Sequence, residues 1–226
     1  MLFEAKNLAK TFKPGGVKAV CEASFALEEG KTLGIIGASG SGKSTLLKLL
    51  LKLELADRGE IYFQGRRIDH LPEKNLKDFR RKTQIIFQDP YLSLDPRMKV
   101  SDSLSEPFLI TGEKRSPRLR DKITGLLASV GLAEYFLARY PHELSGGECQ
   151  RVAIARAISL EPRLLLCDEP VSSLDALTKI QILNLLLGLQ KERGIGFIFV
   201  SHDRRAVRHM SDQVQVMVDG VLARYI

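Results

Sequence analysis

Short runs of mainly apolar residues alternate with longer helical patterns along much of the chain. The runs Leu33–Ile36, Leu164–Cys167 and Phe197–Val200 are typical of strands that are buried on both faces of a sheet. Thr83–Phe87 is another short apolar strand, and the pattern from Leu174 to Lys191 predicts a long helix. Strands that alternate with helices predict an α/β fold with a mostly parallel sheet.

The remaining strand signals lie towards the two ends of the chain. Up to about Gly30 the sequence predicts short strands and turns, with a turn signal at Pro14-Gly15-Gly16. Glu60–Gly65 predicts a strand that runs into a turn, and we expect it to pair with the first strands in an antiparallel sheet. Gln213–Val218 predicts the last strand, which turns at Asp219-Gly220.

The middle of the chain has a different pattern. From Leu92 to Glu161 it is helical and is interrupted by prolines. Apolar residues recur there with the spacing of one helix face, at Ile123, Leu126, Leu127 and Val130. We predict a single domain over residues 1–226, in which a helical lobe (90–161) is inserted into a core made of residues 1–89 and 162–226.

Composition narrows the class of protein only a little. The 226 residues are 44% hydrophobic and 27% charged, which is ordinary for a soluble globular protein. The N-terminus lacks the layout of a signal peptide, and no apolar run approaches the roughly 20 residues that span a bilayer. The three cysteines are scattered, without a CxxC pair, so neither a disulfide framework nor a zinc site is indicated and a reducing cytoplasm fits. The net charge of +7 allows a nucleic-acid or anionic-membrane partner, but the basic pairs are dispersed and decide little.

A glycine-rich segment between a strand and a helix carries the strongest chemical signal. The segment Gly37–Thr45 has the spacing G-x-x-x-x-G-K-[ST] of a P-loop. Glycines let the backbone curl, so that several N–H groups point at one anion at the N-terminus of a helix. Lys43 is then placed to reach the β- and γ-phosphates of a nucleotide, and the Ser44 hydroxyl to ligate Mg²⁺. The alternative is a loop that only joins two elements. The predicted nucleotide-binding residues of this segment are Gly37, Ser39, Gly40, Ser41, Gly42, Lys43, Ser44 and Thr45.

Polar side chains follow three of the predicted strands. Asp168 and Glu169 come at the carboxyl end of a buried strand, the edge at which α/β sheets bind ligands. We expect Asp168 to hold Mg²⁺ and Glu169 to be the base that polarises an attacking water. His202 is a candidate for contacting the γ-phosphate and orienting that water, and Gln88 for touching Mg²⁺ or the water. The alternatives are an acidic pair that closes a strand, a structural histidine and a polar strand cap.

A second glycine signature lies in the predicted helical lobe. Ser145 and Glu148 have the spacing of a capping box that opens a helix. Ser145, Gly146 and Gly147 would also present backbone donors at that helix N-terminus, which is a second site for an anion. The alternative is a capping box alone. One chain therefore carries two candidate phosphate-binding elements.

Together these motifs resemble the ATP-binding subunits of ABC transporters, in that family's order and over nearly the whole chain. The segments similar to its motifs are Gly37–Thr45 (Walker A), Gln88 (Q-loop), Leu144–Glu148 (signature), Leu164–Glu169 (Walker B), Ser173–Asp175 (D-loop) and His202 (switch histidine). The resemblance implies an ATPase that uses ATP and Mg²⁺. It also implies that two ATP molecules are sandwiched in a head-to-tail dimer, in which the signature helix of one subunit binds the γ-phosphate held by the other. Asp175, in the D-loop, is among the residues that the resemblance predicts to bind nucleotide. Phe12 stands where the family often stacks a tyrosine on adenine, and Glu148 where it usually has glutamine.

A narrower resemblance concerns peptide and nickel importers. Ile86–Met98, Arg139–Leu144 and Gln150–Ala157 look like the corresponding segments of the second of two unlike ATPase subunits in those systems. The resemblance implies a peripheral protein on the cytoplasmic face of the cell membrane. Its partners would be two membrane permeases, a related ATPase or a second copy of itself, and indirectly an external solute-binding protein, with no nucleic acid. The alternatives are a soluble ABC ATPase that acts on nucleic acid or the ribosome, which the positive charge allows, and an exporter ATPase.

Overall fold

The computed structural model describes residues 1–13 and 15–224, without the side chain of Leu92. Pro14 of the predicted turn lies outside the described residues. So do Tyr225 and Ile226, the last two residues of the predicted domain.

The described residues form strands and helices that alternate along most of the chain. The strands are β1 (Phe3–Phe12), β2 (Val17–Leu27), β3 (Thr32–Ile36), β4 (Arg58–Phe63), β5 (Arg66–Arg67), β6 (Thr83–Ile86), β7 (Leu164–Asp168), β8 (Gly196–Ser201), β9 (Gln213–Val218) and β10 (Val221–Arg224). The α-helices are α1 (Lys43–Leu50), α2 (Lys77–Lys82), α3 (Pro90–Ser93), α4 (Val100–Ile110), α5 (Pro117–Ser129), α6 (Gly146–Ile158), α7 (Ala176–Arg193) and α8 (Arg204–Met210). Short 3₁₀ turns cover Glu73–Asn75, Glu134–Ala138 and Pro141–Glu143.

The strands form one sheet of mixed direction, in the order β5-β4-β1-β2-β10-β9-β3-β8-β7-β6. Strands β9, β3, β8, β7 and β6 are parallel to their neighbours within that group. Strands β2, β1, β4 and β5 pair antiparallel with one another. The prediction of an α/β fold with a parallel core and an antiparallel part is therefore confirmed.

The central strands are buried on both faces, which explains their unbroken apolar sequence. Alternate residues of a strand point to opposite faces, and in β8 Phe197 and Phe199 enter one hydrophobic core while Ile198 and Val200 enter the other. Helices α4 to α7 cover the first core, whereas α1 and the antiparallel strands cover the second. An alternating polar and apolar pattern would leave one of these cores unfilled.

The parallel strands end at one edge of the sheet, so the residues that follow them are neighbours. Ile36 at the end of β3 is paired with Ser201 at the end of β8. Asp168 at the end of β7 is paired with Val200, and Cys167 with Ile86 at the end of β6. The P-loop, the acidic pair, the histidine and Gln88 therefore leave the sheet at the same edge, as the sequence predicts.

Residues between β6 and β7 are mainly helical. Helix α5 begins with Ser116, whose hydroxyl accepts the Leu119 N–H at 3.2 Å, and with a proline at its first position. The predicted apolar face of α5 is buried against α4 and α6. The boundaries 90–161 of a lobe, and of a core made of 1–89 and 162–226, stay a prediction.

Three expectations about secondary structure were wrong in detail. The first strands are long rather than short, since β1 has 10 residues and β2 has 11. Gln213–Val218 is followed by a further strand, β10, so it is not the last strand of the described residues. The long helix spans Ala176–Arg193 rather than Leu174–Lys191, because the Asp175 carboxylate caps its N-terminus and Gly194 ends it at φ 64°.

Candidate functional site

The P-loop curls between β3 and α1 in a conformation that requires glycine at two positions. Gly40 has φ 79° and Gly42 has φ 105°, in the left-handed region that other residues rarely adopt. A side chain on Gly42 would also place its Cβ only 2.1 Å from the carbonyl oxygen of Ala19. Gly42 then serves as the N-cap of α1, whose first residue is Lys43. The loop therefore leads directly into the N-terminus of that helix, where backbone N–H groups without intrahelical partners favour an anion.

Lys43 is folded back into the P-loop. Its ammonium group donates to the carbonyl oxygens of Gly37 at 2.8 Å and Ala38 at 2.7 Å, and the residue is 5% exposed. Nζ also lies 3.9 Å from Oε1 of Glu169. A buried positive charge is thus held in place by acceptors of the loop itself, where an anion can exchange for them.

Glu169 lies between a cation and a histidine. Its Oε2 accepts a hydrogen bond from Nδ1 of His202 at 2.6 Å, while Oε1 faces Lys43. The backbone of Glu169 has φ 49°, an uncommon conformation that a hydrogen bond from its N–H to the Val200 carbonyl at 2.9 Å helps to hold. His202 is largely exposed and Glu169 is largely buried. The carboxylate is therefore fixed at the sheet edge with one side open towards the histidine.

Asp168 is brought to the first turn of α1. The Ser44 hydroxyl lies close enough to its carboxylate to affect its pKa. Burial raises the pKa of the Asp168 carboxyl; the Ser44 hydrogen bond opposes that rise and the neighbouring Glu169 carboxylate adds to it. Gln88 and Asp168 line one cavity of about 570 Å³. Asp168 thus has the Ser44 hydroxyl and the Gln88 side chain near its carboxylate. Carboxylate, hydroxyl and amide oxygens are ligands that Mg²⁺ prefers.

A cleft of about 440 Å³ opens over the P-loop. Residues Gly37–Ser41 line it together with His202, as the sequence predicts. Arg204 and Val216–Asp219 line it as well, and nothing in their sequence pattern signalled this. The hairpin turn after β9 touches the loop directly, since the N–H of Gly220 donates to the Ser41 carbonyl at 3.0 Å. Among the described residues Ser41 Oγ is buried without a hydrogen-bond partner. Thr45, the third residue of α1, is half-buried.

Phe12 lies at the end of β1, on the antiparallel side of the P-loop. It pairs with Val17 of β2, two residues before Ala19, the residue whose carbonyl lies against Gly42. Two residues of a strand cover about 7 Å. The ring is 37% exposed, and the Lys10 ammonium lies 5.4 Å from its centre.

The second glycine signature forms the start of α6 and packs against the start of α7. Ser145 is the N-cap of α6. A Cβ on Gly146 would lie 3.5 Å from Leu174, and one on Gly147 only 2.5 Å from Cγ2 of Thr178. The Asp175 carboxylate accepts the Thr178 N–H at 3.0 Å and caps α7. Within the described chain, residues 144–148 line neither the cleft over the P-loop nor the Gln88 cavity.

A groove of about 690 Å³, hereafter the lobe groove, lies on the helical side of the described residues. It runs between α2 and β6 on one side and α4 and α6 on the other, and it begins directly after β6, beside the Gln88 segment. Its lining combines exposed apolar side chains, Phe87 and Ile110, with the basic side chains Lys77, Arg81 and Arg156.

The comparisons with known proteins agree with one another. A family model described as ABC transporter matches residues 20–172. The oligopeptide transport ATP-binding protein OppF of Haemophilus influenzae is 44% identical over 221 residues, which is 96% of this chain and 67% of that protein. The dipeptide transport ATP-binding protein DppF of Escherichia coli is 47% identical over 205 residues, which is 90% of this chain and 61% of that protein. The chain thus spans about two thirds of the length of these relatives.

Solved structures give the same result. The ATP-binding cassette MJ0796, in a dimeric post-hydrolysis state bound to ADP and Pi, superposes with a TM-score of 0.89 at 32% identity. That match covers 99% of this chain and 97% of the other. CbiO1 of Clostridium perfringens, part of an ABC transporter complex, superposes with a TM-score of 0.87 at 29% identity over 99% of this chain and 88% of the other. None of the helices in the described part of this chain has the length and apolar character needed to cross a membrane.

Proposed function

The chain belongs to the ABC transporter family, as an ATP-binding and ATP-hydrolysing subunit, and on that premise we propose that it powers the uptake of peptides through partner permeases. The names of the relatives, oligopeptide and dipeptide transport proteins, support this cargo. Nickel or another metal chelate, the second predicted cargo, has no support from the relatives named above. The alternative of an ATPase that acts on nucleic acid or the ribosome is not supported either.

The observation that carries the proposal is the convergence of Lys43, Glu169 and His202 at the edge of the sheet. The amides of the P-loop bind the phosphates of ATP, and Lys43 exchanges its two loop carbonyls for phosphate oxygens. Glu169 accepts the proton of the attacking water, and His202 holds that carboxylate in place through Nδ1.

The donor set beside the P-loop fits Mg²⁺. Ser44, Asp168 and Gln88 offer only oxygen donors of the kind that a hard cation accepts, and Mg²⁺ commonly uses one or two protein groups together with phosphates and water. When bound, the ion would neutralise charge on the β- and γ-phosphates. The Ser44 hydroxyl is near enough to the Asp168 carboxylate to oppose the rise in its pKa, so one ion could reach both groups.

The adenine is proposed to stack on Phe12. The ring is exposed, and Val17, the strand partner of Phe12, lies about 7 Å along β2 from Ala19, whose carbonyl lies against the P-loop. An aromatic face at that distance suits a purine whose phosphates occupy the loop.

A complete ATP site is proposed to require two chains. Ser145, Gly146 and Gly147 form a helix N-terminus that packs beside the start of α7 and does not line the P-loop cleft. In a head-to-tail pair these residues, with Asp175 beside them, face the terminal phosphate held by the partner's P-loop. The partner is a related ATPase or a second copy of this chain. The dimer of the MJ0796 cassette bound to ADP and Pi supports this arrangement.

The lobe groove is proposed to receive a cytoplasmic helix of a permease. It adjoins the Gln88–Met98 segment, which follows β6 directly, so a docked helix would touch the residues that lead into the ATP site. Exposed apolar side chains in a groove rimmed by charges are typical of helix docking. Two permeases, with a solute-binding protein on the other side of the membrane, would make the chain a peripheral protein of the cytoplasmic face.

Uptake in the source cell tests this function. Replacing Glu169 by Gln in the chromosomal gene should abolish the accumulation of a radiolabelled tripeptide that the unaltered strain takes up. Uptake of ⁶³Ni²⁺ is measured in the same two strains. Loss of nickel uptake with unchanged peptide uptake would contradict the proposed cargo, and unchanged uptake of both would contradict the proposed role.

A further inference from the structure

The capping box at the start of α6 places a carboxylate on the hydroxyl group of Ser145. Oε2 of Glu148 accepts hydrogen bonds from the Ser145 N–H and from the Ser145 O–H, each at 2.8 Å. In return, the Ser145 Oγ accepts the Glu148 N–H at 3.3 Å. A hydroxyl group has a single hydrogen to donate. The Ser145 hydroxyl therefore donates its one hydrogen to the negatively charged carboxylate of Glu148.

The carboxylate of Glu148 has no cation to offset it in the described part of the chain. The nearest basic residue along the helix is Arg151, three positions on, where a pair would be expected on the same face. Its guanidinium instead donates to the Val130 carbonyl at 2.7 Å and to Oε1 of Gln181 at 3.3 Å. Among the described residues Glu148 forms no ion pair, and its carboxylate lies at the N-terminus of α6, the positive end of that helix.

We propose that the Glu148 carboxylate competes with the terminal phosphate of ATP for the Ser145 hydroxyl, and so weakens closure of the two-chain ATP site. This rests on the proposed role of Ser145 as a phosphate donor. For the phosphate to bind, the hydroxyl must turn from the carboxylate to the phosphate, while Glu148 keeps the Ser145 N–H. Glu148 is a positioning residue, because it acts through Ser145 and does not itself touch the nucleotide.

The size of the effect follows from the distances. A phosphate oxygen at about 2.7 Å from Ser145 Oγ would lie up to about 5.5 Å from the carboxylate oxygen, given the 2.8 Å between that oxygen and Oγ. One pair of unit charges at that separation changes an equilibrium about fourfold in bulk water, and on the order of a hundredfold at the effective dielectric of a protein surface. We expect an effect of about tenfold.

The replacement Glu148→Gln separates the charge from the capping function. Glutamine accepts the N-cap N–H as glutamate does, so α6 keeps its capping box and loses only the negative charge. We expect a Glu169→Gln background to retain ATP, because the base is lost while the P-loop stays intact. In that background we expect Glu148→Gln to tighten ATP-driven association about tenfold. The dissociation constant is measured by sedimentation with Mg-ATP, for the chain alone and mixed with its cognate ATPase. The difference should shrink as the salt concentration rises, because it is electrostatic.

Glu143→Gln is the matched control. Glu143 also closes a capping box, with its Oε2 accepting the Tyr140 N–H at 2.7 Å, but it is paired with Arg139 and does not touch Ser145. This control should leave association unchanged. Equal or weaker association of the Glu148→Gln variant would overturn the inference, as would a change in melting temperature without a change in association. A Glu169→Gln parent that forms no dimer in the presence of Mg-ATP, both alone and mixed with its cognate ATPase, would contradict the proposed two-chain site, and this inference with it.

Discussion

Replacing Lys43 by alanine is the sharpest test of whether the P-loop binds the phosphates of ATP. The attraction between an ammonium group and a phosphate about 4 Å away is about 4 kcal/mol at an effective dielectric constant of 20. Against this, Lys43 must release its bonds to the carbonyls of Gly37 and Ala38, at a cost of about 1–2 kcal/mol. The net contribution of about 2–3 kcal/mol predicts that Lys43→Ala raises the dissociation constant for Mg-ATP roughly 30- to 150-fold.

Isothermal titration calorimetry with the purified chain measures this constant. Lys48→Ala is the control, because it removes the same charge from an exposed position of the same helix. We expect its dissociation constant to stay within about threefold of the unaltered chain, since an exposed charge is screened by solvent. A dissociation constant of Lys43→Ala within that same range would refute the assignment of Lys43 to the phosphates.

Three further predictions concern other parts of the chain. Glu169→Gln should keep ATP affinity and lower the turnover rate, measured as phosphate release, at least about 100-fold, because it removes the base. An unchanged rate of phosphate release would exclude Glu169 as the base. Gly147→Ala should lower the melting temperature, because its Cβ would lie 2.5 Å from Cγ2 of Thr178. Adding Thr178→Ser removes that methyl group and should restore the melting temperature. A double variant that melts as low as Gly147→Ala would contradict the steric cause. Burial opposes ionisation of Asp212, but hydrogen bonds from the Thr32 N–H and the Lys31 ammonium outweigh it and lower the pKa of Asp212. Its contribution to stability is therefore present above the unfolded value near 3.9 and is lost as the pH falls through the lowered value. The destabilisation by Asp212→Asn in urea should be smaller at about pH 3 than at pH 7; a constant difference would contradict this.

Local chemistry explains which parts of the site the sequence alone predicts. The P-loop is recognisable because Gly42, Lys43 and Ser44 must be neighbours for the backbone to curl and for the helix to begin. Glu169 and His202 are recognisable because each directly follows an apolar strand, and parallel strands end at one edge. The pattern thus predicts which side chains meet.

Contacts between distant segments were beyond that reasoning. The carbonyl of Ala19 against Gly42, and the turn at Gly220 against Ser41, depend on the register of β2 and β10 with the rest of the sheet. β10 itself is a short and largely exposed strand, so its apolar pattern is weak. The commitment of the Ser145 hydroxyl to a carboxylate likewise becomes visible only in the side-chain geometry.

The central claim is that one chain contributes a P-loop to one ATP site and the start of α6 to another. A structure of the Glu169→Gln chain trapped with Mg-ATP, alone or with its cognate ATPase, measures this directly. We predict that Ser145 Oγ and the Gly147 N–H lie within about 3.2 Å of a terminal phosphate held by the P-loop of the other subunit. A closed, ATP-loaded assembly in which these two groups face solvent or a different protein would contradict the account.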